Sequence, residues 1–425
     1  MEENKVEKQR AILVGMFQGL NDEFDPVESM NELAELTYAA NAEVATTIIQ
    51  NKAKIEVATY IGSGKVEEVR LAVEAFDANI VIFNDELSGA QMRNLEALIG
   101  TTVVDRTALI LDIFALRAQT KIAKLQVELA QLKYRLPRLI GMNGNLSRTG
   151  GGIGTRGPGE QKLEIDRRRI QERIYEIRKQ ISEADKNRIV QRQLREKNEM
   201  PVVALVGYTN AGKSSIMNAL IELSGDTDEE RHVFEKDMLF ATLDTYNRRI
   251  ILDDKKEFIL TDTVGFVSKL PHSLVNAFKA TLEETLSADL LLHVVDASNP
   301  SYAMQMEVTH RVLKELKATE IPMLIIYNKI DKGHNVLDAH PNAHFISAKT
   351  GENIEGLLQS IKSHIFKDRV VAKFIIPYTD GHIASYLCET YKVSSLDYTE
   401  FGTEINAEVS MVDFNRYREY VVLEE

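Results

Sequence analysis

Eight consecutive residues carry the plainest chemistry in the chain. Gly207-Tyr208-Thr209-Asn210-Ala211-Gly212-Lys213-Ser214 fit the spacing GxxxxGK[ST]. Glycines free a backbone to fold its N–H groups around an anion, and a helix beginning at the end of the turn adds its partial positive charge. At this spacing Lys213 reaches the β- and γ-phosphates of a nucleotide. The Ser214 hydroxyl, with Ser215 behind it, is placed to ligate Mg²⁺. The pattern by itself is not rare, so its flanks decide. Val202–Val206 is a short apolar run that reads as a buried parallel strand, and Ser214–Leu223 has helical periodicity. Strand, glycine turn and helix in that order make a phosphate site.

Further short boxes follow in an order that selects guanine. Asp262-Thr263-Val264-Gly265 closes the apolar run Phe258–Leu260. Its carboxylate would hold Mg²⁺ through water, and the Gly265 amide would sense the γ-phosphate. Asn328-Lys329-Ile330-Asp331 closes a strand over Met323–Tyr327. The Asp331 carboxylate can accept hydrogen bonds from guanine N1 and the exocyclic amine. Adenine offers no such pair, so a buried Asp331 left unpaired would reject it. The Lys329 stem can lie along the base, and the backbone of Ser347-Ala348-Lys349, after a strand over Ala343–Ile346, can meet guanine O6. Phe240-Ala241-Thr242-Leu243-Asp244 falls where a switch segment belongs, and Thr242 is preferred to Thr245 as a second Mg²⁺ hydroxyl. Lys213, Thr242 and Gly265 are thus the expected catalytic contacts. Asn210 stands three residues before Lys213, as in GTPases that hold K⁺ beside the phosphates; a turn-stabilising asparagine is the equal alternative. Phe266 occupies the place of a glutamine that orients the attacking water in many GTPases. A phenyl ring cannot aim water. Either it packs in an apolar pocket while another switch residue acts, or a partner completes the site.

The chain has 425 residues, 44% of them hydrophobic, enough for two to four domains with substantial cores. Cys388 is the sole cysteine, which excludes an intrachain disulfide and suits a reducing compartment. It reads as a small packed hydrophobe rather than a nucleophile. The N-terminus is acidic, without the order of a signal peptide, and no run approaches the roughly 20 apolar residues of a bilayer span. A soluble cytoplasmic protein without membrane insertion is expected.

Charge is unevenly distributed. The net charge of −13 disfavours a polyanionic partner on average, yet residues 101–200 carry 21 Lys and Arg against 12 Asp and Glu, while the remainder carries 30 against 52. Ile122, Leu125, Leu129, Leu132 and Leu136 recur at helical spacing in this basic segment, and so do Leu163, Ile170, Ile174, Ile177, Ile181 and Ala184. The two seams predict an antiparallel helical hairpin, with Pro137 ending the first helix. Between them, residues 141–160 form a glycine-rich loop containing Arg148 and Arg156. A basic helix face is ordinarily just solvated. A mobile loop with arginines at the tip of a stiff hairpin, however, suits insertion into folded RNA.

Alternating strand and helix signals over residues 1–110 predict a small α/β domain. The strands are Ala11–Gly15, Ala45–Ile49, Ile80–Phe83 and Thr101–Val104. The helices are one opened by Asp25-Pro26, Val66–Ala75 and Ala90–Leu98. Gly62-Ser63-Gly64-Lys65 imitates a phosphate loop, but Thr59 replaces its first glycine and Val66 its hydroxyl; it reads as a turn into a helix. The expected organisation is therefore multidomain α/β: an N-terminal domain over 1–110, a helical hairpin over 111–199, a doubly wound P-loop GTPase domain over 200–367 and a small α+β domain over 368–425. Segments Lys373–Ile376, Ala407–Val412 and Tyr417–Val422 are the expected strands of the last.

Taken together, GYTNAGKS, FATLD, DTVGF, NKID and SAK resemble the nucleotide boxes of the HflX-type GTPases. YIGSGKVEE (60–68), KIAKLQVELAQLKYRLPRL (121–139) and GGGIGTRGPGEQKLEIDRRRI (150–170) also match, and the last two are far more specific than any nucleotide box. The resemblance spans about residues 5 to 365. It implies a GTP/GDP-binding hydrolase that engages the large ribosomal subunit and its ribosomal RNA. It also implies that the protein splits stalled or idle ribosomes under stress; a monomer off the ribosome is expected. The loop around Arg148–Gly159 would approach the peptidyl-transferase region. Asp244-Thr245-Tyr246-Asn247-Arg248 departs from the family's usual DPTTR. Two alternatives stay open at this level: a GTPase assisting large-subunit assembly or RNA modification, and a nucleotide-gated interaction protein without turnover.

Overall fold

The computed structural model describes residues 9–19, 25–142, 158–197, 200–224, 246–269, 287–333 and 335–422. The N-terminal strands β1 (Arg10–Phe17), β2 (Glu43–Asn51), β3 (Ile80–Phe83) and β4 (Thr102–Asp105) form a parallel sheet in the order β2-β1-β3-β4. Alternation divides its apolar residues between two covered faces. Ala11, Leu13 and Ile82 join a core with α1 (Pro26–Ala39) and α4 (Arg106–Arg117). Ile12, Val14, Val81 and Phe83 face α2 (Ser63–Phe76) and α3 (Gly89–Ile99). Asp25 caps α1 as its sequence predicts, accepting hydrogen bonds from the Val27 and Glu28 amides. Gly62–Lys65 indeed opens α2, with the Gly62 amide donating to Gln50 Oε1. Helix α4 runs through the expected boundary at residue 110, and Leu109, Ile110, Ile113 and Phe114 are buried in the N-terminal core.

The hairpin consists of α5 (Lys121–Met142) and α6 (Pro158–Lys197). Leu125, Leu129, Ile174 and Ile177 are buried along its seam, flanked by Leu132, Leu136, Ile170 and Ile181. Arg173 adds a two-pronged pair to Glu128 at 2.7 and 2.9 Å. Pro137 does not end α5, contrary to expectation; the helix continues through it to Met142. The contacts around the next residue outweigh the lost hydrogen bond. Arg138 stacks on the Tyr134 ring, donates to Tyr134 O at 3.0 Å and pairs with Glu86 and the buried Asp105. Gly89 lets α3 approach this turn, since a Cβ there would stand 2.8 Å from Arg138 O.

The third unit is a six-stranded sheet in the order β10-β9-β8-β5-β7-β6. Its strands are β5 (Val202–Gly207), β6 (Tyr246–Ile251), β7 (Glu257–Asp262), β8 (Leu290–Asp296), β9 (Met323–Asn328) and β10 (His344–Phe345); only β6 is antiparallel. Val203 and Leu205 face α7 (Lys213–Leu223) and α9 (Ile354–Ile365), while Ala204 and Val206 face α8 (Tyr302–Glu315). This two-sided burial explains why β5, β8 and β9 read as continuous apolar runs.

Residues 369–410 add an antiparallel sheet, β11 (Arg369–Ile376), β13 (Gly402–Ser410) and β12 (Val393–Thr399), with α10 (Gly381–Thr390) on it. The segment Tyr417–Val422 is not a strand. It contains a 3₁₀ turn, Arg418–Tyr420, and a single bridge from Val421 to Phe374. Cys388 packs partly buried in this core, and burial raises its thiol pKa, which keeps it protonated.

His293 lies on the α8 side of β8, 1% exposed and edge-on to His310 at 5.2 Å. Burial, with smaller repulsion from His310 and Lys213, pulls its pKa from 6.5 to about 3, so the folded chain keeps it neutral. The unfolded chain protonates it near its ordinary value. Its contribution to stability is therefore whole above pH 6.5 and falls as pH drops towards 3, by about 3 kcal/mol at pH 4. His293→Leu should flatten the loss of stability between pH 7 and 4 in denaturant titrations; an unchanged slope would exclude this origin.

Candidate nucleotide site

The site lies at the carboxyl ends of β5, β7, β8 and β9, where a parallel sheet leaves a crevice. Two glycines are obligatory by space as well as by backbone angle. Gly207, at φ 148°, would place a Cβ 2.2 Å from Val294 O. Gly212, at φ 95°, would place one 2.2 Å from the Asn328 amide nitrogen. The turn between them therefore lies directly on β8 and β9.

Lys213 opens α7 and is 7% exposed. Its Nζ donates to the Gly207 and Tyr208 carbonyls at 3.2 and 2.8 Å, which fixes the ammonium across the loop. Burial lowers its pKa to about 8 against the opposing charge of Asp262. A polyphosphate would relieve that cost. Ser214 Oγ donates to Asp262 Oδ2 at 2.6 Å, joining two boxes far apart in sequence. Two hard oxygen donors beside a buried lysine fit Mg²⁺. Ser215 follows on α7.

The segment after Asp262 is fastened to the phosphate loop. Thr263 Oγ1 donates to Leu205 O at 2.6 Å. Thr209 N donates to Phe266 O at 2.7 Å and Phe266 N to Gly207 O at 3.1 Å. Gly265 lies so near the loop that a Cβ would stand 2.7 Å from Thr209 Cα and 2.9 Å from Lys213 Nζ. Phe266 is 2% exposed among Ala204, Val206, Tyr208 and Leu291, so its ring packs in an apolar pocket.

The base-side boxes are tied to the same loop. Asn328, 2% exposed, donates through Nδ2 to Ala211 O at 2.9 Å and accepts through Oδ1 from Ala348 N at 3.1 Å. Lys329, at φ 66°, donates to Asn210 O at 2.6 Å and pairs with Asp296 at 2.9 Å. Asp331, next to Ile330, accepts from Ser347 Oγ at 2.7 Å. Its carboxylate is exposed rather than buried, so a bound base must itself supply the desolvation that rejects adenine. Asn210 adopts the left-handed conformation, φ 58°, which asparagine tolerates in turns. Lys349 is exposed beside Ala348.

Sequence reading missed Asp296, which aligns the Lys329 stem; its signal was a carboxylate closing an apolar parallel strand, as Asp262 does. It also missed that Tyr208 and Val264 contact the N-terminal domain. Phe240–Asp244, Thr245, Arg148, Arg156 and the loop 143–157 lie outside the described residues.

Asp331→Asn should weaken GTP by about 2–4 kcal/mol, roughly 30- to 1000-fold, and shift preference towards xanthine nucleotides. Competition binding with GTP and XTP measures this. Wild-type GTP affinity in the variant would remove Asp331 from base recognition.

Known proteins resemble this chain along almost its whole length. Residues 27–115 match a family described as GTP-binding GTPase N-terminal, residues 117–195 one described as GTP-binding GTPase Middle Region, and residues 202–329 one described as 50S ribosome-binding GTPase. GTPase HflX of Caldanaerobacter subterraneus subsp. tengcongensis is 49% identical, covering 99% of this chain and 96% of that protein. GTPase HflX of Lacrimispora saccharolytica is 43% identical, covering 95% and 94%. A crystal structure of SsGBP with GDP aligns over 84% of this chain and 98% of that one, at 24% identity and TM-score 0.47. The chain belongs to the HflX family and is a GTP-binding, GTP-hydrolysing enzyme.

Proposed function

We propose that this GTPase, in its GTP-bound state, engages the large ribosomal subunit and separates stalled or idle ribosomes in the cytoplasm under stress, hydrolysis to GDP then ending that state. The observation that carries this reading is the basic hairpin, packed through α5 against the N-terminal domain. One side of α6 is sealed against α5 through Ile174 and Ile177, while Arg167, Arg168, Arg169, Arg178 and Lys179 are exposed on it. A helix of 40 residues, roughly 60 Å long, carrying these cations, with Glu164, Glu172 and Glu176 exposed among them, offers contacts to a phosphate backbone. Arg148 and Arg156 would add contacts to folded RNA. At the nucleotide, Ser214, Thr242 and, through water, Asp262 would hold Mg²⁺, which neutralises charge developing on the phosphates; Lys213 and the Gly265 amide would act on the same oxygens.

The test is sucrose-gradient or light-scattering analysis of intact ribosomes with the protein and GTP, a non-hydrolysable analogue or GDP. Subunits should separate in the triphosphate states and not with GDP. Unaffected ribosomes, with binding confined to precursor large subunits, would replace this function by one in assembly. Replacing Arg148 and Arg156, or deleting Gly150–Gly154, should weaken particle binding, the arginine effect shrinking at high salt, while nucleotide affinity stays unchanged. Full binding in the deletion would reduce the loop to a linker.

Phe266 supplies no water-positioning group, so hydrolysis by the chain alone should be slow and rise at least tenfold with purified large subunits. Phe266→Gln should not restore full activity in isolation. A fast, subunit-independent rate would overturn the scheme. Repeating the assay in K⁺ and in Na⁺ tests Asn210 as a K⁺ ligand; equal rates would remove that role.

A further inference from the structure

The two loops that face the γ-phosphate position meet at a carboxylate from another domain. Glu32 lies on α1, its side chain 12% exposed. Tyr208, inside the phosphate loop, donates its hydroxyl to Glu32 Oε1 at 2.5 Å. Ser268, three residues after Gly265, donates its amide to the Tyr208 hydroxyl oxygen at 2.6 Å and to Glu32 Oε1 at 3.2 Å. The Ser268 hydroxyl donates to Glu32 Oε2. Arg106, itself almost wholly buried, donates to Glu32 Oε2 at 2.6 Å, to Ser268 Oγ at 2.9 Å and to Asn84 Oδ1 at 2.9 Å. Glu32, Arg106 and Asn84 belong to the N-terminal domain, whereas Tyr208 and Ser268 flank the catalytic loops.

The surroundings reinforce this ring. Val264 and Val267 are buried in the N-terminal core cluster with Leu33, Ile110 and Phe114. Lys269 sits at φ 53°, a backbone position that a lysine holds only where its surroundings fix it, and pairs with Asp85 at 2.5 Å. Burial pushes the Glu32 pKa up, but the Arg106 charge and the Ser268 and Tyr208 hydroxyls outweigh it and leave it below the ordinary value. The carboxylate stays ionised and accepts all of these donors at once.

We propose that Glu32 is a positioning residue for GTP hydrolysis, acting through Tyr208 and Ser268 to hold the phosphate loop and the segment around Gly265 in one mutual geometry. Displacing either loop by an ångström misplaces the groups that face the γ-phosphate, and such displacements cost rate more than binding. A GDP ligand, lacking that phosphate, gains little from the ring.

The test uses the full chain, with hydrolysis followed in single turnover at saturating GTP and GDP affinity measured separately. Tyr208→Phe and Ser268→Ala remove one donor each and leave the Glu32–Arg106 pair in place. Each should slow hydrolysis at least fivefold with GDP affinity within twofold of wild type. The double variant should be no slower than the slower single, because both act through one carboxylate. Glu32→Gln, whose folding is checked by thermal unfolding, should match them. Glu28→Gln loosens the same domain interface at Ser301, away from both loops, and should leave the rate unchanged. The proposal fails if either single variant hydrolyses GTP within twofold of wild type, or if GDP affinity falls as far as the rate. It also fails if the two effects multiply, or if Glu28→Gln is equally slow.

Discussion

The cleft is built around one carboxamide. Asn328 reaches from the end of β9 to the Ala211 carbonyl in the phosphate loop and, with its other atom, takes the Ala348 amide of the base-side turn. A buried amide has a fixed number of donors and acceptors, and here both ends are satisfied by backbone from different loops. Gly212 must be glycine because this side chain fills the space where a Cβ would go. Phosphate recognition and base recognition are thus parts of one rigid assembly. Loops tied together by the protein's own hydrogen bonds have little freedom left to lose on binding.

The same economy appears along the sheet edge. Val294 O closes over Gly207, Asp296 aligns Lys329, and Asp262 takes the Ser214 hydroxyl. Each contact arises where a parallel strand ends and its chain turns. Side chains there are fixed by a stiff backbone on one side and open to a ligand on the other. Chemistry in this domain therefore resides in strand termini and the first turn of α7, while the remaining helices serve chiefly to bury the strands' two faces.

Much of this was legible in the residues. The boxes announced themselves because their spacing is dictated by phosphate geometry, and β5, β8 and β9 because strands covered on both faces are apolar throughout. The hairpin seam was equally plain, from Leu125 and Leu129 to Ile174 and Ile177. Legibility ended wherever a distant contact decided a local outcome. Pro137 passes through α5 because Arg138 is anchored to Tyr134, Glu86 and Asp105. Tyr417–Val422 alternates like a strand, yet it folds into a 3₁₀ turn with a single bridge to Phe374. Helix α4 was absent from the reading because its exposed positions include the apolar Ala115 and Leu116, so Ala108–Leu116 shows almost no polar alternation. Glu32 carries no mark in the sequence, since nothing near it names Arg106 or Ser268 as its partners.

Val264 and Val267 have a wider meaning through where their side chains are spent. The segment that follows Asp262 beside the phosphate loop is also part of the hydrophobic interior of a neighbouring domain. Linkage makes such sharing symmetrical: whatever bound phosphate does to the packing of that interior, a ligand of the N-terminal domain must do in return to the affinity for phosphate. Cutting the chain between the domains would expose two valines to water and erase that reciprocity. Through that linkage, occupancy at one end would be felt as stability at the other.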